Sequence, residues 1–403
     1  MIAQSSGSSF EAPVTLQQAL DLAVENDPAL KRLEVLDEAA AGQVEQASLR
    51  PNPTIGAEVE NFLGTGGGLS GVDGLEITLG VSQVLEMGGK RQRRTALAEH
   101  ERALLGWDAE QRLTMLQGQV RQAFVEVLLA QRAVELRREQ LALATESRDE
   151  TSRLVEAARA PEVDRARAQL AVRQQQFALQ QAEREAVTTR EALSALWGLV
   201  PASDFTLAGE IAVENPPDLI GLVGQLADTP ALARFRAEAS TRQAALELEE
   251  ARATPDIELT AGARYFNENS GDAAFLVGVQ VPWPLFDRNQ GNIRTARAQL
   301  RAVEHEQETV RRELLQALAA AHRSLVNAYE EVQALENELR PAAEQALADT
   351  QSGYERGQFT ILSVLDSRQA LFEVREAQLD ALRRYAQALA QVEALTRPVN
   401  PIR

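Results

Sequence analysis

The stretch Leu75-Glu76-Ile77-Thr78-Leu79-Gly80-Val81-Ser82 decides the fold. Apolar side chains fall at every second position with polar or small ones between them, the period of a strand that has one dry and one wet face. Upstream, Ile55, Ala57 and Val59 alternate in the same way with Gly56, Glu58 and Glu60, so the two segments predict an antiparallel hairpin closed by the glycine-rich loop 64–74. The scheme returns farther along. Ile257, Leu259, Ala261 and Ala263 oppose Glu258, Thr260, Gly262 and Arg264, and after a loop at 267–272 Phe275, Val277, Val279 and Val281 oppose Leu276, Gly278 and Gln280. Each strand is read as about 10 residues, the length that crosses a bilayer when tilted. Four strands are too few to enclose a lumen, since single-chain membrane barrels begin at about eight. The reading therefore requires a barrel shared between copies of the chain. Phe62, Tyr265, Phe266, Phe275 and Trp283 are placed toward strand ends, a position equally suited to an interfacial aromatic girdle and to ordinary sheet core.

Around these strands the chain is written twice. Pro28 and Pro230, Pro53 and Pro255, and Gly89 and Gly291 are each 202 positions apart. Asn26-Asp27-Pro28-Ala29-Leu30 answers to Asp228-Thr229-Pro230-Ala231-Leu232, and residues 196–217, rich in Gly, Pro and small polar types, read as the link between halves.

After each strand hairpin come two long helical segments, 90–158 with 161–196 and 292–354 with 360–396. At ~1.5 Å per residue the longer ones extend on the order of 100 Å, which no compact globule of this size requires. Leu113, Leu116, Val120, Ala123, Val127, Ala130, Val134 and Leu141 keep near-heptad spacing, as do Val303, Val310, Ala317, Leu325, Val332 and Leu339. Arg137 interrupts the first seam and the second shifts by one residue at Leu325. Short breaks at Ala158-Arg159-Ala160-Pro161 and Arg356-Gly357-Gln358-Phe359-Thr360 force each pair into an antiparallel hairpin, with both tips at the same end, away from the strands.

Composition narrows the classes of function. The chain has 403 residues, 44% of them hydrophobic but only 4% aromatic, a balance of long helices rather than of a compact sheet enzyme. No run approaches the roughly 18 apolar residues of a membrane-spanning helix; the best, 125–130, is core-sized. A membrane segment must therefore be made of strands closed into a barrel. The formal net charge of −18 argues against nucleic acid and is compatible with cationic cargo, although solvated helix faces are usually Glu-rich as well. There is no cysteine, which excludes disulfides, thiolate catalysis and an acylated cysteine anchor. Residues 1–13 lack the basic and apolar regions of a signal peptide. His100, His305 and His322 have no second histidine at ligand spacing, and no phosphate loop or nucleophile motif is found, so neither a metal site, a cofactor nor an enzyme is expected.

With strands, helices and repeat in place, the sequence resembles the TolC-like outer-membrane factors over nearly its whole length. The strongest motif is Tyr354-Glu355-Arg356-Gly357-Gln358-Phe359-Thr360-Ile361-Leu362-Ser363-Val364-Leu365-Asp366. Leu85-Glu86-Met87-Gly88-Gly89-Lys90-Arg91 and Pro284-Leu285-Phe286-Asp287-Arg288-Asn289-Gln290-Gly291-Asn292 are similar to the heavy-metal branch, the cobalt-zinc-cadmium resistance type. The resemblance implies an α+β membrane protein. It would be a homotrimer with a twelve-stranded β-barrel in outer-membrane lipid, a twelve-helix periplasmic α-barrel and an equatorial region. Its partners would be a periplasmic adaptor and an inner-membrane proton-driven pump of the RND class. In these terms the chain divides into N-terminal equatorial helices (1–53), a first β-hairpin (54–86), a first helical hairpin (87–197), a linker with the second equatorial helix (198–254), a second β-hairpin (255–284), a second helical hairpin (285–397) and a tail (398–403).

The resemblance also places a gate. Asp366 matches one acid of the family's periplasmic constriction and Ser363 replaces the other; three copies of Asp366 around an axis would repel one another and draw cations. Tyr354 matches a tyrosine that latches the closed state, with Asp164 as its acid partner. Phe359 stands where the family has Arg, so Arg356 is the substitute cation. Ala158 stands where the family has Gly. The tips, Arg159, Ala160 and Pro161 with Gly357, Gln358, Phe359, Thr360 and Ile361, are expected to touch the adaptor. A multidrug or type I secretion duct of the same fold differs mainly in its partners. A soluble coiled-coil scaffold would satisfy the heptads but not the four alternating strands, and would remain soluble without detergent.

Overall fold

The computed structural model describes residues 13–65, 71–199, 205–267 and 271–396. Parts of both strand loops (66–70 and 268–270), of the linker (200–204) and the terminal segments 1–12 and 397–403 lie outside the described residues. In chain order the elements are α1 (Leu16–Asn26), α2 (Pro28–Ser48), β1 (Thr54–Glu60), β2 (Glu76–Leu85), α3 (Lys90–Glu156), α4 (Glu162–Leu196), α5 (Leu219–Gln225), α6 (Pro230–Arg252), β3 (Ile257–Phe266), β4 (Asp272–Gln280), α7 (Gln290–Ala334), α8 (Arg340–Glu355) and α9 (Ile361–Thr396). A five-residue π turn, Leu335–Leu339, joins α7 to α8.

Two units divide the chain. One comprises Met1–Lys31, Ala109–Pro230 and Arg311–Arg403, the other Arg32–Asp108 and Ala231–Val310. The second unit contains the sheet, in the order β1-β2-β3-β4 and antiparallel throughout. Register follows the period-two pattern. Ile55, Val81, Ala261 and Val277 form one cross-strand row, while Glu58, Thr78, Arg264 and Ala274, three positions along, form a row on the opposite face. The apolar face is open: Phe275 is 94% exposed, and Ile55, Leu79, Val277 and Val279 are exposed with it. On the polar face the Arg264 guanidinium reaches Glu60 (2.9 Å), Glu76 (2.7 Å) and the Thr78 hydroxyl (2.9 Å), tying three strands together.

Several strand expectations are adjusted. β1 is 7 residues rather than about ten. Phe266 pairs with Glu76 and Asp272 and so lies on the polar face, while Phe275 stands opposite Ala263 within the strand rather than at its end. Gly56, Gly80 and Gly262 align across three strands, and a Cβ at Gly262 would lie 2.5 Å from the Leu79 carbonyl oxygen. The backbones approach there because no side chain stands between them.

In the first unit, α1 starts at a capping box in which Gln18 N–H donates to Thr15 and Thr15 N–H donates to the Gln18 side chain. Pro28 opens α2 at the first helical position, where its missing N–H costs nothing, and Asp27 caps that end through the Leu30 amide at 2.8 Å. The core gathers Val14, Ala23, Leu116, Val120, Phe124, Val127, Leu193, Trp197, Phe205 and Leu207. Val14 and Leu207 bridge in parallel, pinning the segment after α4 onto that core.

The seams differ from the expected ones in one helix. On α3, Leu116, Val120, Val127, Ala130 and Val134 are buried as the heptads predict. Farther along, Leu318, Ala321, Leu325, Ala328, Val332 and Leu335 are the buried positions, a strict alternation of three- and four-residue steps. Ala317 is exposed and Leu339 is 50% exposed, so neither belongs to the seam. The one-residue shift falls before Leu318 rather than at Leu325, and the π turn ends the seam before Leu339.

Candidate functional site

Each helix tip is a backbone motif. At the first, Ala158 adopts a left-handed conformation (φ 54°), and the amides of Arg159 and Ala158 donate to the carbonyls of Leu154 (2.8 Å) and Val155 (2.9 Å). At the second, Gly357 (φ 72°) occupies the equivalent place, with Gln358 N–H donating to Gly353 (2.8 Å) and Gly357 N–H to Tyr354 (2.9 Å). Both are the paired-bond helix terminus that normally selects glycine. Ala158 performs it with a Cβ in a region that disfavours one.

The next helices start at once. Pro161 stands at the N-cap of α4, and Thr360 caps α9, its hydroxyl accepting from Ser363 N–H (3.4 Å) and lying 3.2 Å from the Ser363 hydroxyl. Ser363 is therefore engaged in the helix cap, whereas Asp366, one turn on, is exposed. Glu162 and Asp164 occupy the first turn of α4, where the helix dipole favours acids. Arg159 and Arg356 are exposed at the two tips.

Tyr354 bonds to a different acid from the one expected. The Tyr354 hydroxyl donates to Glu150 on α3 at 3.1 Å, not to Asp164. Asp164 lies instead 3.8 Å from Arg167, one turn along its own helix. The Glu150 carboxylate, by accepting that bond, holds the Tyr354 phenol above its ordinary pKa. Nothing in the spacing marked Glu150, because the bond depends on how α8 lies against α3. Phe359, at the position of the expected cation, packs its ring on Gly353, where a Cβ would overlap it.

Behind the tips, α3 and α9 run antiparallel and are joined by ionic rungs. These are Glu146 with Arg368 (3.9 Å), Glu139 with Arg375 (2.5 Å), Arg137 with Glu376 (2.6 Å), Glu126 with Arg383 (3.1 Å) and Arg121 with Glu393 (3.9 Å). The middle rung is the strongest built. Arg137 contacts both oxygens of Glu376, and Gln140, buried, donates to the same carboxylate at 2.7 Å while accepting from Arg137 at 2.8 Å. Arg137, which breaks the apolar seam in sequence, thus has a partner one helix away. Exposed rungs of this kind contribute little each; a bidentate, hydrogen-bonded one contributes more. Among the described residues no three His, Cys, Asp or Glu side chains gather as a metal-binding group, and no helix is long and apolar enough to cross a membrane.

The family model described as outer membrane efflux protein matches residues 19–199 and 223–396, both halves of the chain. The chain belongs to that family. This efflux protein is 30% identical to the cobalt-zinc-cadmium resistance protein CzcC of Cupriavidus metallidurans over 388 residues, which cover 95% of this chain and 90% of that one. It is 28% identical to the nickel-cobalt-cadmium resistance protein NccC of Alcaligenes xylosoxydans xylosoxydans, over 81% of this chain and 72% of that one. Its fold is that of the solved channel CusC, with a TM-score of 0.75 at 18% identity, covering 98% of this chain and 95% of that one. The efflux protein thus carries its tip motifs on a fold already known in channels.

Proposed function

We propose that this protein is the outer-membrane duct of a tripartite RND efflux system exporting divalent heavy-metal cations, and that it works as a homotrimer. Three four-stranded sheets join edge to edge into a twelve-stranded barrel in outer-membrane lipid, and the long helices continue it as a twelve-helix tunnel in the periplasm. The observation that carries this reading is the sheet itself: an exposed apolar face, a polar face, and β1 and β4 as its two edges. In lipid an unpaired edge costs several kcal/mol per backbone group, so edges must meet those of other copies. Membership of the family supports export as the activity, and the names of CzcC and NccC support cobalt, zinc, nickel and cadmium ions as the cargo class.

In this reading the duct catalyses nothing. The tips, Arg159 to Pro161 and Gly357 to Ile361, meet a periplasmic adaptor, which couples the duct to the inner-membrane pump. Asp366 and the adjoining Ser363 narrow the periplasmic end, and the Tyr354 bond, made here to Glu150, holds it closed.

Protein extracted from the membrane fraction in detergent should give discrete conductance in a planar bilayer. Asp366→Ala should raise that conductance or weaken its block by multivalent cations; a change in neither removes Asp366 from the gate. A strain lacking the gene should become sensitive to zinc, cobalt or cadmium. Sensitivity to dyes with metal tolerance intact would replace the metal reading by that of a drug duct.

A further inference from the structure

We propose that the π turn Leu335–Leu339 and Pro341 form the hinge on which α8 swings when the tip opens, and that the Arg137–Gln140–Glu376 cluster is the fixed point beside it. The proposal rests on the duct reading above and adds to it where the moving part ends.

Helix bonding is weakest at this place. Arg340 N–H donates five residues back, to the Leu335 carbonyl, instead of four. Pro341 has no N–H to return to the Asn337 carbonyl. Two successive defects in one turn soften a helix against bending, and π turns and prolines are where sharp bends occur.

Packing changes at the same point. Up to the first residue of the π turn, Leu318, Ala321, Leu325, Ala328, Val332 and Leu335 are all buried. At its last residue Leu339 is half exposed, and the buried residue of α8 is Gly353. A stem with a buried seam therefore meets a terminal segment that rests on α9 with little of itself buried. Near its far end the segment is held to α3 by the Tyr354–Glu150 bond.

The other long helix provides the contrast. Leu335 lies 22 residues ahead of the left-handed Gly357, and Leu136 lies 22 ahead of the left-handed Ala158. At that level α3 runs unbroken through its 67 residues and carries Arg137 and Gln140, which grip Glu376 of α9. One helix is broken where its counterpart is clamped. A helix of 16 residues, as α8 is, measures ~24 Å, so a swing of about 10° moves its end by roughly 4 Å while α9 stays anchored at Glu376.

A π turn holds one residue more than an α turn, so removing the exposed Glu338 restores continuous α-helix with the flanking faces kept in place. Four full-length proteins form the test. They are the native chain, Tyr354→Phe to release the latch, a hinge-free chain with Glu338 deleted and Pro341→Ala, and the combination. In planar bilayers Tyr354→Phe should raise conductance at least twofold, and removing the hinge should return it to within about a third of the native value. An equal rise with and without the hinge overturns the proposal. If the hinge-free chain does not assemble, Pro341→Ala alone takes its place, with a partial suppression expected. Should none of the proteins conduct, the duct reading fails, and the hinge is read separately by spin-label distances between Ala142→Cys and Ala348→Cys in this cysteine-free chain. Releasing the latch should broaden that distribution and removing the hinge should narrow it; identical widths refute the hinge.

Discussion

Asp27 is 4% exposed, carries a charge, and joins three structural tasks. It follows α1, caps α2 through Leu30 and pairs with both Arg112 nitrogens that face it, one at 3.2 Å. The Arg112 hydrogen bond lowers its pKa, burial opposes, and the Leu30 amide lowers it further. A carboxyl whose folded pKa lies below its unfolded value of about 3.9 contributes stability above that value and gives it up as pH falls through the folded pKa. Asp27→Asn should therefore cost about 2 kcal/mol at neutral pH, and the gap from the native protein should shrink in unfolding measured below about pH 3.9. Ala158 is the second case. Replacing it by Gly removes the Cβ from a left-handed position and should stabilise the first tip by about 1 kcal/mol, read as slower amide exchange at Arg159. Asp27 was legible as the residue before a helix-opening proline. Glu150 was not, since a lone acid on a Glu-rich helix carries no mark until another helix is laid beside it.

Among the elements, strands were the most legible, because a period of two on a face that is half apolar leaves one register open. The glycine row was visible as three glycines in three strands, but its alignment required the pairing. Gly262→Ala should push β2 from β3 by placing a methyl against the Leu79 carbonyl, which should lower the melting temperature of the assembled protein; Gly278→Ala, with open contact distances on the next strand, is the matched control. The helices were legible in length and tip, but not in continuity. Pro341 stood in the sequence inside an otherwise helical run, and a proline there signals a break that heptad spacing alone passes over. The same spacing placed Ala317 and Leu339 in the seam, because counting sevens does not sense a one-residue phase change absorbed by the backbone.

At the scale of the whole molecule, two opposed faces of one sheet demand two solvents. Val277 is 84% exposed on the apolar face, and in the proposed barrel a lysine there would stand in hydrocarbon at a cost of about 2–4 kcal/mol per copy. Val277→Lys should therefore deplete the protein from the outer-membrane fraction, whereas Thr78→Lys, on the polar face beside Glu58, should leave it there. Equal membrane yields for the two would remove the distinction between lipid and lumen faces.

The sequence by itself determined the two strand hairpins, the two long helical hairpins, the breaks at their tips and the family, because each is written in local periodicity or in a contiguous motif. The tertiary structure alone decided which acid receives the Tyr354 hydroxyl and which carboxylate answers Arg137. Those outcomes depend on contacts between residues up to 239 positions apart, set by how helices lie side by side, and no local pattern encodes them.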